Sequence, residues 1–275
     1  MRNKHPWIKA ILLSLLLSLP GSLFPNQVEA DELDTLAETI SAVVQIGMVD
    51  EPDTKIYTVG GGVIISSSKD VTYILTVKHN LVQGDHLYIK TVGGEPFPVV
   101  YYVADAHRDL AVLRIDTSKT RLPVAKIGDS RELRVGQSVL AIGHPAPVFI
   151  EDDYPTVSRG IVSALDRTLV SPQESDGASD ENAETYPLDW MLEYTDTPAT
   201  RNNLTVALTP LIQTDAMVNS GSSGGPLVTE DGKVVGIVQS MISNTGSNSG
   251  MNFVIPVSEA AILLKVAGVE EGVDE

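Results

Sequence analysis

Gly221-Ser222-Ser223-Gly224-Gly225-Pro226 is the stretch on which the reading of this chain turns. A serine between glycines can sit on a tight turn whose backbone N–H groups face a developing oxyanion. The same letters satisfy the G-x-S-x-G elbow of the α/β-hydrolases, where the histidine of the triad follows the serine in the chain. Here the five histidines are His5, His79, His86, His107 and His144, and all of them precede Ser223. An α/β-hydrolase is therefore excluded if Ser223 is the nucleophile, and an order histidine, aspartate, serine is left to be filled. A serine hydroxyl is a weak nucleophile near neutral pH. It needs an adjacent base, and the base needs a carboxylate to orient it. His79 lies just past the β-branched run Val71 to Val77, and Asp109 opens the run Asp109 to Asp116 (DLAVLRID). A residue at a strand end is held by the sheet yet open to a cleft.

Outward from these positions the chain reads as short strands separated by turn residues. Tyr57 to Ile65, Val71 to Val77 and Asp109 to Asp116 belong to a series running from about Ile40 to Ile115. A second series comprises Ser138 to Ile142, Gly160 to Leu165, Thr205 to Thr214, Pro226 to Thr229, Lys233 to Met241 and Met251 to Ile255. Such spacing favours barrels or sandwiches over βαβ units. Asp231-Gly232 marks a hairpin, and Ser258 is placed to cap a short helix ending near Val266. Two runs of roughly six strands predict two similar lobes, although no clear sequence repeat links them.

Composition narrows the setting. Arg2, Lys4 and Lys9 precede an apolar run from Ala10 to Leu19 that is broken by Pro20 and Gly21. That run is too short to span a bilayer, and Val28-Glu29-Ala30 offers small residues at the two positions a cleavage site requires. Residues 1–30 are therefore expected to be a signal peptide, cut after Ala30. Its loss removes three basic residues and one acid, taking the net charge from −17 to −19. Nucleic acid would be repelled by such a surface, and no later segment is apolar enough to span a membrane. The chain has no cysteine, which excludes disulfides, thiol catalysis and cysteine-based zinc sites. No metal or cofactor is expected. Two further motifs fail on inspection. His107-Arg108-Asp109-Leu110 matches part of a kinase catalytic loop, but Arg114 stands where asparagine is required. Gly60 to Gly62 lacks the lysine and hydroxyl residue of a phosphate loop.

Six segments together resemble the protease domain of the HtrA/Deg family of trypsin-like serine proteases. They are Gly61 to Leu81 (GGVIISSSKDVTYILTVKHNL), Asp109 to Asp116, Leu122 to Pro145 (LPVAKIGDSRELRVGQSVLAIGHP), Thr156 to Leu165 (TVSRGIVSAL), Ile212 to Val228 (IQTDAMVNSGSSGGPLV) and Gly250 to Pro256 (GMNFVIP). The resemblance runs in order from about residue 58 to 256. It implies an all-β fold of two six-stranded antiparallel barrels, here divided as residues 31–127 and 128–275, with a short C-terminal helix. It also implies an exported serine endopeptidase, periplasmic or secreted, that acts on unfolded or misfolded polypeptides in protein quality control.

Roles follow by position. The resemblance makes His79 the general base, Asp109 its orienting carboxylate and Ser223 the nucleophile. It forms the oxyanion hole from the backbone at Gly221 and Ser223, with the Ser222 N–H between them. Met217 falls at the base of the primary specificity pocket. Gln239, Ser240 and Met241 fall on the strand that pairs with substrate by β-augmentation. No carboxylate sits beside Met217, so cleavage after small or medium aliphatic residues is expected.

Departures from the family are also informative. Ser222 stands where the family commonly has asparagine and where digestive relatives have aspartate, so activation by a freed N-terminus is not expected. Only 19 residues follow Pro256, too few for a PDZ domain. No aromatic lies between Phe24 and Ile40, and aromatic contacts there support trimers in the family, so no oligomeric state is assigned. Ser171 to Asn203 is an acidic insertion carrying eight carboxylates, with Trp190, Met191 and Leu192 as an apolar centre. Such long loops are often functional, and this one is expected either to regulate activity or to act as a spacer. The rival to an enzyme is a catalytically silent protease-like fold that holds polypeptides as a chaperone or binding module.

Overall fold

The computed structural model describes residues 30–49, 56–81, 86–118, 120–145, 153–169, 210–241 and 250–269. The leader before Ala30 and the whole acidic insertion Ser171 to Asn203, with its Trp190, Met191 and Leu192, lie outside the described residues. No helix among the described residues is long and apolar enough to cross a membrane.

The chain enters through a helix, α1 (Ala30–Ser41), and then forms β1 (Val43–Val49), β2 (Ile56–Ser67), β3 (Val71–Val77), β4 (Leu87–Lys90), β5 (Phe97–Asp105) and β6 (Leu110–Asp116). These six close into an antiparallel barrel in the order β1-β2-β3-β6-β5-β4. Six more follow: β7 (Ser138–Gly143), β8 (Thr156–Arg167), β9 (Leu211–Thr214), β10 (Pro226–Thr229), β11 (Val234–Met241) and β12 (Asn252–Pro256). They close in the order β7-β8-β9-β12-β11-β10, repeating the connectivity of the first barrel. A 3-10 turn, Val257–Ala260, and a last helix, α2 (Ala261–Ala267), end the fold. The expected two-barrel, all-β architecture is thus the one observed.

The strands are where burial demands them. β6 is buried at five of its seven positions and β3 at five of seven, as befits strands whose apolar side chains fill a closed barrel. One buried cluster joins Ile46, Ile64, Ile74 and Leu113 of the first barrel to Ile142, Ile237 and Phe253 of the second. The link between the lobes runs alongside β11. Gly128 N–H donates to Val234 O at 2.8 Å, and Val234 N–H donates to Lys126 O at 2.8 Å. Arg108 Nε reaches Glu259 Oε2 at 2.9 Å across the barrels.

Two local expectations change. Ser258 does not cap the last helix, because its N–H donates to Ser130 Oγ at 3.2 Å and its hydroxyl pairs with the same oxygen at 2.9 Å. The chain first makes the 3-10 turn, so α2 starts at Ala261 and ends on Gly268, whose φ of 77° suits a left-handed cap. Helix α1 was not expected at all. It docks on the second barrel, where Thr39 Oγ1 donates to Gly232 O at 2.6 Å, in the β10–β11 hairpin that Asp231-Gly232 predicts.

Candidate active site

The first barrel brings His79 and Asp109 together through strand register. Val77 of β3 pairs with Leu110 of β6, so the next residues outward on the two strands are neighbours. Lys78 N–H donates to Asp109 O at 3.0 Å. A 3-10 turn, Lys78–Asn80, then carries His79 over the carboxylate. His79 N–H donates to Asp109 Oδ1 at 3.0 Å, and His79 Nδ1 lies 2.7 Å from Asp109 Oδ2. An ionised carboxylate only accepts, so Nδ1 carries the proton and Nε2 is the basic nitrogen. Asp109 holds φ at 55°, a left-handed conformation that aspartate tolerates better than most residues. The side chains are 11% and 18% exposed, which shields the pair while leaving it an opening.

The second barrel supplies Ser223 from the turn between β9 and β10. Its backbone is pinned on both sides. Ser222 N–H donates to Asn219 O at 2.9 Å, Gly225 N–H to Ser222 O at 3.0 Å, and Gly224 N–H to Val238 O at 2.8 Å. These bonds correct one expectation: the Ser222 N–H is spent inside the turn and cannot serve an oxyanion. Gly221 N–H and Ser223 N–H have no acceptor among the described residues. Gly221 reaches its place in the turn at φ 92°. Two donors therefore remain beside the serine, the number that an oxyanion hole needs.

Gln239 joins the two halves in a way the sequence did not reveal. It sits where the β11–β12 register slips between Val238 and Ser240. A bulge of this kind leaves one residue outside the ladder and re-aims it. Its carbonyl accepts the Ser223 hydroxyl at 3.1 Å, and its Nε2 approaches Asp109 Oδ2 at 3.4 Å. Ser240 is buried beside it, and Met241 ends the strand opposite Asn252.

A cleft opens next to the serine turn. Ala141, Ile142, Pro145, Val238 and Met217 line it with Ser158, and no carboxylate is among its lining residues. Met217 is 63% exposed, with its carbonyl taking the Ser158 hydroxyl at 2.7 Å. It flanks the cleft from the solvent side and is not a buried floor.

Residues 60–237, which span His79, Asp109 and Ser223, match the family described as trypsin-like peptidase domain. The chain belongs to that family. It is 35% identical over 201 residues to "Serine protease Do-like HtrA" of Bacillus subtilis, covering 73% of this chain and 37% of that protein. It is 32% identical over 203 residues to a "Probable periplasmic serine endoprotease DegP-like" of Halomonas elongata, covering 74% of this chain and 34% of that protein. The chain thus spans about a third of the length of the curated relatives it matches. Among solved structures, "HtrA-type protease AlgW with decapeptide" superposes with a TM-score of 0.62 at 25% identity, covering 85% of this chain and 66% of that one. The HtrA/Deg resemblance read from the six segments is borne out by these relatives.

Proposed function

We propose that the protein is an exported, periplasmic serine endopeptidase with His79, Asp109 and Ser223 as its triad. The observation that carries this reading is the 2.7 Å contact of His79 Nδ1 with Asp109 Oδ2, on a chain whose relatives are named serine endoproteases. His79 Nε2 takes the Ser223 proton as Oγ attacks the scissile carbonyl, and the N–H groups of Gly221 and Ser223 hold the oxyanion. The His79 imidazolium, steadied by Asp109, then protonates the leaving amine. Water resolves the acyl-enzyme by the same route in reverse. The Ser223 hydroxyl, bonded to Gln239 O at 3.1 Å, must turn its proton toward His79 to begin.

Export is supported by the basic-then-apolar leader, and the periplasm by the relatives' names. Substrates are unfolded or misfolded polypeptides, cut after small or medium aliphatic residues. Support for that preference is the cleft beside the serine, whose lining contains no carboxylate to meet a basic side chain.

A fluorophosphonate probe tests the reading. It should label the wild-type protein and not Ser223→Ala, and casein cleavage should vanish in Ser223→Ala and His79→Ala with unchanged circular dichroism. An unlabelled, inactive wild type that still prevents aggregation of unfolded protein would favour the chaperone reading. Mapped cleavage dominated by Arg or Lys would refute the aliphatic preference.

A further inference from the structure

The side chain after the proposed base is neither apolar nor exposed. Asn80 is 2% exposed, and its carboxamide nitrogen has three acceptors: Ser223 O at 2.9 Å, Thr76 Oγ1 at 3.1 Å and Gly61 O at 3.3 Å. Two of these are carbonyls, which only accept, so the NH2 end must face them. Thr76 Oγ1 donates to Gly61 O at 2.7 Å and therefore receives from Asn80. The Ser223 carbonyl takes a second bond from Gly61 N–H at 2.8 Å. Both bonds that hold the nucleophile's carbonyl thus come from the first barrel, and one comes from the residue next to His79.

Room for this carboxamide is made by glycines on both barrels. A Cβ on Gly60 would overlap the Asn80 amide. A Cβ on Gly224 would overlap Gly61 O and Thr76 Oγ1 and would lie 2.7 Å from Asn80 Nδ2. The arrangement gives a purpose to Gly60 and Gly224. A polar group this deeply buried is costly unless its bonds are made, and here they are made across the barrel interface to the backbone of Ser223.

We propose that Asn80 is a positioning residue that sets the reach between His79 and Ser223 by tying the base's turn to the nucleophile's carbonyl. This rests on the triad reading above. His79 and Asn80 share one 3-10 turn, so the Asn80 strut, beside the Gly61 N–H bond, links the base's own turn directly to the nucleophile's carbonyl. Misplacement by about 1 Å can cost on the order of 100-fold in rate.

The test compares wild type with Asn80→Val, which removes the donors and puts an apolar side chain of similar size in their place. Fluorophosphonate labelling rate, kcat and KM on a peptide substrate, the pH–rate profile and Tm are measured on the full chain. Expected are a labelling rate and kcat lower by about 10- to 100-fold, KM within about twofold, and an unchanged basic pKa in the profile, because the His79–Asp109 pair is untouched. A wild-type labelling rate and kcat, whatever happens to Tm, would overturn the proposal. If Asn80→Val does not fold, Asn80→Ser keeps one hydroxyl donor and should label at an intermediate rate; a wild-type rate there overturns it equally. Ser223→Ala separates the two ideas. Residual activity in Ser223→Ala refutes the triad, whereas an inactive Ser223→Ala beside a fully active Asn80→Val refutes the strut alone.

Discussion

The two barrels share one connectivity but hold their share of the site differently. In the first, His79 and Asp109 are neighbours through the β3–β6 register, and both oxygens of the carboxylate are engaged by His79. Both partners of that pair lie in the first barrel, and the second barrel adds only the longer 3.4 Å approach of Gln239 Nε2 to Asp109 Oδ2. In the second, Ser223 sits on a turn outside any strand. Its carbonyl is held by Gly61 and Asn80 of the first barrel, and its hydroxyl by the bulged Gln239. The proposed base, His79, and Asp109 are brought together by local strand pairing. The position of the proposed nucleophile, Ser223, is a product of the barrel interface. Damage to the first half should therefore abolish proton transfer and leave the architecture intact, whereas damage to the second should act through distance.

The largest effect is expected from Asp109→Asn. Asparagine tolerates the left-handed φ of 55° as well as aspartate does, so the backbone has no reason to change. Its amide, however, presents a donor where Oδ2 accepted the Nδ1 proton, which favours the wrong histidine tautomer. By analogy with the well-studied triad enzymes, kcat should fall on the order of 10⁴-fold. Steady-state kinetics beside an unchanged thermal melt would check this. A loss below tenfold would mean that the first barrel's pair is not what limits turnover.

A matched pair of glycines probes the second barrel. Gly224 and Gly136 have nearly the same φ, 87° and 86°, and each donates its N–H to a strand carbonyl at 2.8 Å, Val238 O and Val162 O respectively. They differ in what a methyl would meet: nothing within 4 Å at Gly136, but Gly61 O and Thr76 Oγ1 at Gly224. Gly136→Ala should cost about 1–2 kcal/mol of stability from its backbone conformation alone and leave kcat unchanged. Gly224→Ala carries the same backbone cost and in addition drives the serine turn off the first barrel, so kcat should drop about 100-fold. Equal kcat losses in the two variants would show that the nucleophile does not depend on the interface.

Legibility in the sequence followed the same division. The strand runs, the turn at Asp231-Gly232 and the order His79, Asp109, Ser223 could all be read, because each depends on residues close in the chain or on chain order. Helix α1 carries a readable signal, with Leu36, Ala37 and Ile40 on one helical face, but its dock on Gly232 is a contact across 193 positions. Local spacing suggests Ser258 as a cap, whereas its partner, Ser130, lies 128 residues away. Asn80 looked like any polar residue after a strand until Gly61 and Ser223 closed around it. The motif's spacing offers Ser222 N–H as an oxyanion donor but does not show that Asn219 O accepts its hydrogen bond. The exposure of Met217 likewise depends on how the turn before the serine folds.

The smallest effect, and the last test of the two-barrel contrast, is electrostatic. Asp105 ends β5. Burial pushes its carboxyl up, but hydrogen bonds from the Arg108 side chain and backbone and from the His107 backbone outweigh that and leave it below the ordinary value of 3.8. Asp231 in the β10–β11 hairpin behaves alike: burial raises it, and bonds from Lys233 and Thr229 lower it further than burial lifts it. A carboxyl that ionises more readily when folded contributes stability that is fully present above the unfolded value and is lost as pH falls through the folded one. Both should therefore weaken the fold below about pH 3.8. Their partners differ. Asp231 meets Lys233 two residues along its own hairpin at 2.7 Å, while the Arg108 that pairs with Asp105 also grips Glu259, just past β12, at 2.9 Å. Asp105→Asn should flatten the acid limb of the stability curve and, by freeing Arg108, loosen the clamp between barrels. Asp231→Asn should flatten the limb without touching that clamp. Urea midpoints from pH 7 to pH 3 measure the slopes, and each variant should sit within about 1 kcal/mol of wild type at pH 7 because these pairs are partly exposed. Fluorophosphonate labelling at pH 7 then separates the two: Asp105→Asn should label a few-fold more slowly, while Asp231→Asn keeps the wild-type rate, since only the first loss reaches the interface on which Ser223 depends. A wild-type labelling rate in Asp105→Asn would confine that interface to the bonds around Asn80 and Gly61.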